Sequence, residues 1–212
     1  MVAPRRRGFF ITLEGPEGSG KSSQARWLSG WLRQQGVRVV EVCDPGSTAL
    51  GQRLRLVLLH DGRLKLSPLT EALLFIAGRV QLVEEQIRPA LAKGRIVVCD
   101  RFHDSTIAYQ GFGGGLETTW LDAIGRRAIG GLMPDLTILL DVAPSVGFSR
   151  LRRRHDRMER KAPAFHRRVR RGFLRLAASA PRRCVIVDAS QPAALVRQQI
   201  LVIVRKRLQQ HR

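Results

Sequence analysis

Gly15-Pro16-Glu17-Gly18-Ser19-Gly20-Lys21-Ser22 follows directly on the apolar run Phe9-Phe10-Ile11-Thr12-Leu13. The run reads as a buried strand, the glycines as a tight turn, and the residues from Ser22 onward as an amphipathic helix. This is the spacing of a phosphate-binding P-loop, and chemistry accounts for it. Glycines let backbone N–H groups turn inward around phosphate oxygens without side-chain clashes. Lys21 reaches the outer phosphates as a point charge, the Ser22 hydroxyl suits Mg²⁺, and the helix N-terminus adds positive potential. A glycine turn that binds nothing is the plain alternative. The strand before it, Lys-Ser at its end and the helix after it weigh against that alternative. Gly15, Pro16, Glu17, Gly18, Ser19, Gly20, Lys21, Ser22 and Ser23 are therefore the candidate nucleotide-binding residues, with a nucleoside triphosphate and Mg²⁺ as the expected ligands.

Working outward, short apolar runs recur at 9–13, 37–43, 96–99, 136–140 and 184–187, each nearly all apolar as strands buried on both faces should be. Helical patterns occupy 22–35, 49–60, 68–92, 117–129, a basic stretch through 175, and 192–210. This alternation predicts an α/β fold: a three-layer P-loop NTPase architecture with a five-stranded parallel sheet flanked by helices and a short lid. Ligands then gather at the carboxyl ends of the strands, where the P-loop, Asp44-Pro45-Gly46-Ser47-Thr48 and Asp100-Arg101 converge. The reading divides the chain into a basic tail, 1–8, and one P-loop domain, 9–212, with a lid at about 150–162. The glycine loop 111–115 and the charged stretch 150–161 are the expected mobile parts.

Composition narrows the class. No run of about 18 apolar residues appears, which argues against a membrane span, and no signal-type segment follows the basic start. The three cysteines, Cys43, Cys99 and Cys184, lie in or beside expected strands, which favours reduced thiols in a core and a cytoplasmic setting. The net charge of +20 admits nucleic-acid binding, but no zinc-finger spacing or RNA-binding aromatic signature accompanies it. The expectation is nonspecific, salt-dependent adhesion to polyanions, with no specific nucleic acid and no membrane as partner. A guanine-reading Asn-Lys-x-Asp segment is absent from the sequence, which disfavours a GTPase. A small-molecule kinase instead needs extra arginines, a carboxylate near the metal and a lid that excludes water.

Asp100-Arg101-Phe102-His103-Asp104-Ser105-Thr106-Ile107-Ala108-Tyr109-Gln110-Gly111 resembles the Asp-Arg-Tyr…Ser…Ala-Tyr-Gln signature of thymidylate kinases. Leu13-Glu14-Gly15-Pro16-Glu17-Gly18, Leu74-Phe75-Ile76-Ala77-Gly78-Arg79, Pro134-Asp135-Leu136-Thr137 and Asp156-Arg157-Met158-Glu159 resemble theirs too, in family order. The resemblance implies transfer of the γ-phosphoryl group of ATP to dTMP, usually by a homodimer. It implies that Phe75 stacks on the thymine ring and Arg79, four residues on, hydrogen-bonds the base; i,i+4 spacing puts both on one helix face. By the same resemblance Arg101 and Arg55 hold the acceptor phosphate, Asp44 helps position the acceptor, Ser105 and Gln110 lie near the base, and Tyr109 crowds the sugar 2′ position. Asp188-Ala189-Ser190-Gln191 falls where the family contacts adenine.

The expected catalytic residues are Lys21, Arg101, Arg157, Glu17 and Asp100, with Ser22 and Asp100 as metal ligands. Gly18 stands where one branch of the family has a basic residue. The resemblance thus implies the other branch, in which lid arginines supply the charge: Arg157 first, with Arg153 and Arg154 behind it. Departures are also present. The usual Thr-Arg-Glu-Pro-Gly-Gly-Thr loop reads Val42-Cys43-Asp44-Pro45-Gly46-Ser47-Thr48, Phe102 replaces a tyrosine, and the glycine loop lacks its arginine. The lid is short between Arg154 and Asp156. Same-fold kinases with another acceptor, dUMP or a deoxynucleoside, and a non-catalytic ATP- and nucleic-acid-binding P-loop protein are the alternatives.

Overall fold

The computed structural model describes residues 7–61, 64–151 and 156–211. Most of the 1–8 tail and the stretch 152–155, with Arg153 and Arg154, lie outside the described residues. The strands are β1 (Phe9–Glu14), β2 (Val39–Cys43), β3 (Ile96–Asp100), β4 (Leu136–Asp141) and β5 (Cys184–Asp188). They form one five-stranded sheet in the order β2-β3-β1-β4-β5, every pairing parallel. The two-residue period of a strand sorts the core into two layers. Phe9, Ile11, Leu13, Ile96, Val98, Leu136, Ile138 and Leu140 face α1 (Lys21–Gln34) and α9 (Ala193–His211). Phe10, Val97 and Cys99 face the helical run 68–92, and Leu139 faces α8 (Pro163–Ser179).

That helical run is α3 (Pro68–Leu82), a π-helical turn (Val83–Ile87) and α4 (Arg88–Ala92). Ser67 starts it by accepting a hydrogen bond from the Thr70 N–H at 3.1 Å, with Pro68 in the first turn. Thr48 caps α2 (Ala49–Arg55) in the same way through the Gly51 N–H, and a π-helical turn, Leu56–His60, comes next. The remaining helices are α6 (Thr118–Ala128) and α7 (Pro144–Ser149).

One expectation is corrected. The loop expected at 111–115 is largely helix: α5 (His103–Thr106) runs on into a π-helical segment, Ile107–Gly113. Its glycines are there for close approach. A Cβ on Gly113 would lie 2.7 Å from the Phe165 ring and 2.8 Å from Val169, so α8 could not pack where it does. Extra residues inserted as π turns recur at functional sites. This one aims Tyr109 and Gln110 at the carboxyl edge of the sheet.

Candidate active site

Strand ends deliver the site. Gly15 (φ +143°), Gly18 (φ +65°) and Gly20 (φ +88°) wrap the P-loop, and a Cβ on Gly18 would stand 1.9 Å from the Gly147 carbonyl of α7. Lys21 is almost fully buried and donates from Nζ to the Pro16 carbonyl at 2.6 Å and the Ser19 hydroxyl at 3.2 Å. Burial, with Arg101 next, lowers its pKa to about 7 against the pull of Asp100, Glu17 and Glu14. A bound phosphate is the partner this ammonium lacks.

Ser22 Oγ donates to Asp100 Oδ2, while Asp100 Oδ1 is buried without a hydrogen-bond partner. A hydroxyl beside a carboxylate with a spare oxygen is a hard donor set that fits Mg²⁺, which keeps waters and phosphate oxygens for its other positions.

Arg101 is the one described non-glycine residue in the left-handed region, with φ +67°. The strained backbone is held at both ends: its N–H donates to Leu13 O at 3.0 Å, and its guanidinium reaches Gly15 O at 3.2 Å, Ser105 Oγ at 3.0 Å and Tyr109 Oη at 3.1 Å. Burial alone would favour its neutral form; Tyr109, Glu17, Asp100 and Glu14 outweigh burial and keep it firmly charged. Tyr109 in turn donates to Glu17 Oε1 at 2.5 Å. Beneath them Glu14, fully buried at the end of β1, accepts from the Phe102 N–H at 2.7 Å and the Ser105 hydroxyl at 2.6 Å, fixing the loop that carries Arg101.

The acceptor side is built on α3. Arg79 Nε donates to Asp44 Oδ2 at 2.5 Å and its NH2 to Thr106 Oγ1 at 2.8 Å, while its NH1 is buried without a partner. Phe75 stands one turn away, half-buried beside Leu74 and Leu59. Asp44 reaches Arg79 although it is one methylene shorter than glutamate. Phe102, lacking the tyrosine hydroxyl, is buried edge-on against Phe10 at 5.0 Å with the Arg79 guanidinium 5.5 Å from its ring centre. Arg55 donates to Pro45 O at 3.0 Å across a cis Asp44–Pro45 peptide. Cys43 and Cys184 are half-buried and Cys99 buried, all three free.

A single cavity of about 790 Å³ joins these parts. Its wall takes in the P-loop from Glu17 to Ser23, Asp44, Arg55, Phe75, Arg79, Asp100, Arg101, Ser105, Tyr109 and Gln110. At the other end it runs past Arg150 to Ala189, Ser190, Gln191 and Arg197, where Arg150 donates to the Ala189 and Ser190 carbonyls at 2.7 and 2.9 Å.

Arg157 is the expected site residue that the structure does not bring to the P-loop. Its Nε donates to Leu58 O at 2.7 Å and its NH2 lies 3.1 Å from Glu71 Oε2, a buried carboxylate on α3 that also accepts from Gln110 at 3.3 Å. In this arrangement Arg157 ties the root of the lid to the π-helical turn Leu56–His60 and to α3. The sequence reading missed Glu14, Glu71, Thr106, Arg150 and His166. Glu14 carried a signal, a carboxylate at the end of an otherwise apolar strand; His166 carried none, because its partner lies far away in sequence.

Residues 13–200 match the protein-family model described as thymidylate kinase. A thymidylate kinase of Deinococcus radiodurans is 47% identical over 203 residues, covering 95% of this chain and 98% of its own. One of Pseudomonas fluorescens is 48% identical over 195 residues, covering 91% and 93%. Among solved structures, the crystal structure of thymidylate kinase from Ehrlichia chaffeensis superposes with a TM-score of 0.77 at 34% identity, over 93% of this chain and 99% of that one.

Proposed function

The chain belongs to the thymidylate kinase family, and we propose that its activity, transfer of the γ-phosphoryl group of ATP to dTMP to give dTDP and ADP, is carried by the residues around the one cavity. The observation that carries this assignment is that P-loop, Arg101 and the Phe75–Arg79 pair line the same space. Donor and acceptor are thereby held in one enclosure, which is most of what phosphoryl transfer requires.

The P-loop amides and Lys21 hold the donor phosphates, with the adenine end toward Ser190 and Arg197. Arg101 grips the acceptor phosphate with a planar fork suited to two phosphate oxygens, and Arg55 closes over it from α2. Phe75 stacks on the base, and the unpartnered NH1 of Arg79 supplies a hydrogen bond to its edge. Ser105 and Gln110 fix this wall, and Tyr109 with Glu17 sets the floor beneath the sugar. Ser22 and Asp100 would hold Mg²⁺, which would neutralise charge on the donor phosphates.

The domain reading is one P-loop kinase domain, 9–212, with a lid near 150–162 and a basic tail at 1–8. Arg157 anchors that lid, and its role as a direct partner of the transferring group rests on the lid rearranging. We read the chain as a homodimer that uses the exposed leucines of α3, and as cytoplasmic. Its free thiols support that setting, and no described helix is long and apolar enough to cross a membrane.

The test is ADP production with ATP and Mg²⁺ across dTMP, dUMP, dCMP, dGMP, AMP and thymidine. Clear preference for dTMP is expected. Preference for another acceptor would move the assignment of the Asp44–Arg79 wall, and acceptor-independent hydrolysis alone would remove it.

A further inference from the structure

Glu17 is a carboxylate buried in a loop that must receive polyphosphate, and burial of a charge needs compensation. Three basic side chains surround it: Arg101, Lys21 and His166. The first two face the cavity where the phosphates go. His166 does not line it. It sits behind, on α8, 1% exposed, with Nδ1 3.3 Å from Glu17 Oε2.

The oxygens that its two ring nitrogens face decide its protonation. Nε2 stands 3.1 Å from the Lys161 carbonyl, which only accepts, so Nε2 carries hydrogen. Nδ1 faces Glu17 Oε2 at ion-pair distance, neither atom being in any hydrogen bond, and Arg101, Lys21 and Tyr109 favour the ionised carboxylate against the effect of burial. That oxygen also only accepts, so a hydrogen on Nδ1 completes an imidazolium. The ring is clamped edge-on by Phe148 of α7 at 4.7 Å and by Phe165 at 5.3 Å. Of the charged residues nearby, Glu17 meets the ring with its side chain. Glu159 and Lys161 turn main chain toward it, and the Lys161 ammonium lies 5.7 Å above the Phe165 ring.

We propose that His166 is a positioning residue whose imidazolium compensates Glu17, leaving Arg101 and Lys21 free to spend their charge on the acceptor and donor phosphates. Without it, the buried carboxylate draws Arg101 down through Tyr109 or takes up a proton, and either response loosens the acceptor site. The ring also joins the P-loop to the lid, since its other nitrogen holds the Lys161 carbonyl. This inference rests on the phosphate-facing reading of Arg101 and Lys21.

Two measurements test it. The first tracks the ring nitrogen shifts of His166 by NMR in the ligand-free chain across pH, assigned with His166→Gln. Both nitrogens are expected to be protonated at pH 7, with the midpoint above the ordinary histidine value; in Glu17→Gln the midpoint should fall, since the carboxylate that raises it is gone while burial still lowers it. A neutral ring at pH 7 overturns the proposal, and this arm reads out whether or not dTMP is the acceptor.

The second is a kinetic cycle. His166→Gln should raise KM for dTMP by roughly tenfold with a smaller change in kcat, and Glu17→Gln/His166→Gln should be no worse than Glu17→Gln alone. Independent, multiplying losses would show that His166 acts other than through Glu17 and would overturn it. Absence of dTMP turnover in the wild type, with the imidazolium present, would instead fault the substrate reading.

Discussion

At the scale of single residues, the site is a set of buried charges that compensate one another. The Arg79–Asp44 pair is 2% and 0% exposed at its side chains, with Nε and Oδ2 2.5 Å apart. Removing one partner leaves the other charged and almost wholly buried. Asp44→Ala should therefore lower the unfolding free energy by about 3–5 kcal/mol in urea titration, far more than an exposed pair would. A loss below about 1 kcal/mol would mean that Arg79 finds another acceptor. Glu14 gives a pH-dependent counterpart. Burial first, and Asp104 second, raise its pKa from 4.5 to about 7 against its hydrogen bonds from Ser105 and Phe102. A folded pKa above the unfolded one means stability that is fully present below pH 4.5 and lost as pH rises through 7. Glu14→Gln removes that titration. The unfolding free energy of the wild type relative to this variant should fall between pH 5 and pH 8 by roughly 3 kcal/mol; a pH-independent difference would show that Glu14 stays ionised throughout.

At the scale of elements, what could be read in the sequence was what is periodic or local. The strands 9–13 and 96–99 show themselves as apolar runs, and the helix 68–92 by its pattern, because burial on a fixed face repeats along the chain. The site residues legible there were those carried by contiguous motifs: the P-loop, Asp100-Arg101, and Phe75 with Arg79. The segment Ile107–Gly113 was not legible, because Gly111 and Gly113 read as a loop, whereas Thr118 at the first and Phe165 and Val169 at the second, all of other elements, require glycine there. Long-range pairings such as Glu71 with Arg157 leave no local trace at all. The Arg157 side chain is 13% exposed and that of Glu71 5% exposed, 3.1 Å apart, in a contact that fastens the lid to α3. Arg157→Ala should lower the unfolding free energy by about 3 kcal/mol, since Glu71 is left buried without its cation. A variant as stable as wild type with turnover lowered a hundredfold or more would show instead that the guanidinium leaves Glu71 and acts on the transferring phosphoryl group.

At the scale of the whole molecule, the net charge of +20 and the exposed leucines pull in opposite directions. The charge suits a cavity that must collect two anionic substrates, and it opposes the approach of a second copy of the chain. Leu69 and Leu73, each 43% exposed, share one face of α3 at i,i+4, and Leu56, 61% exposed, opens the π-helical turn that follows α2. Apolar side chains grouped on one face while charge covers the rest suit a self-association surface. If two copies meet there, apolar burial holds them and like charge weakens them, so screening should favour the dimer. Sedimentation equilibrium should then show the dissociation constant falling as salt rises from about 50 to about 500 mM, a span over which the Debye length shortens from more than 10 Å to less than 5 Å. Leu73→Glu should shift the mass from twice 23.8 kDa toward 23.8 kDa while ATP binding stays unchanged. Adhesion to a polyanion such as heparin should move the other way, weakening with salt because it rests on counterion release. A dimer that dissociates as salt rises would mean that opposite charges, and not the leucines of α3, form the contact.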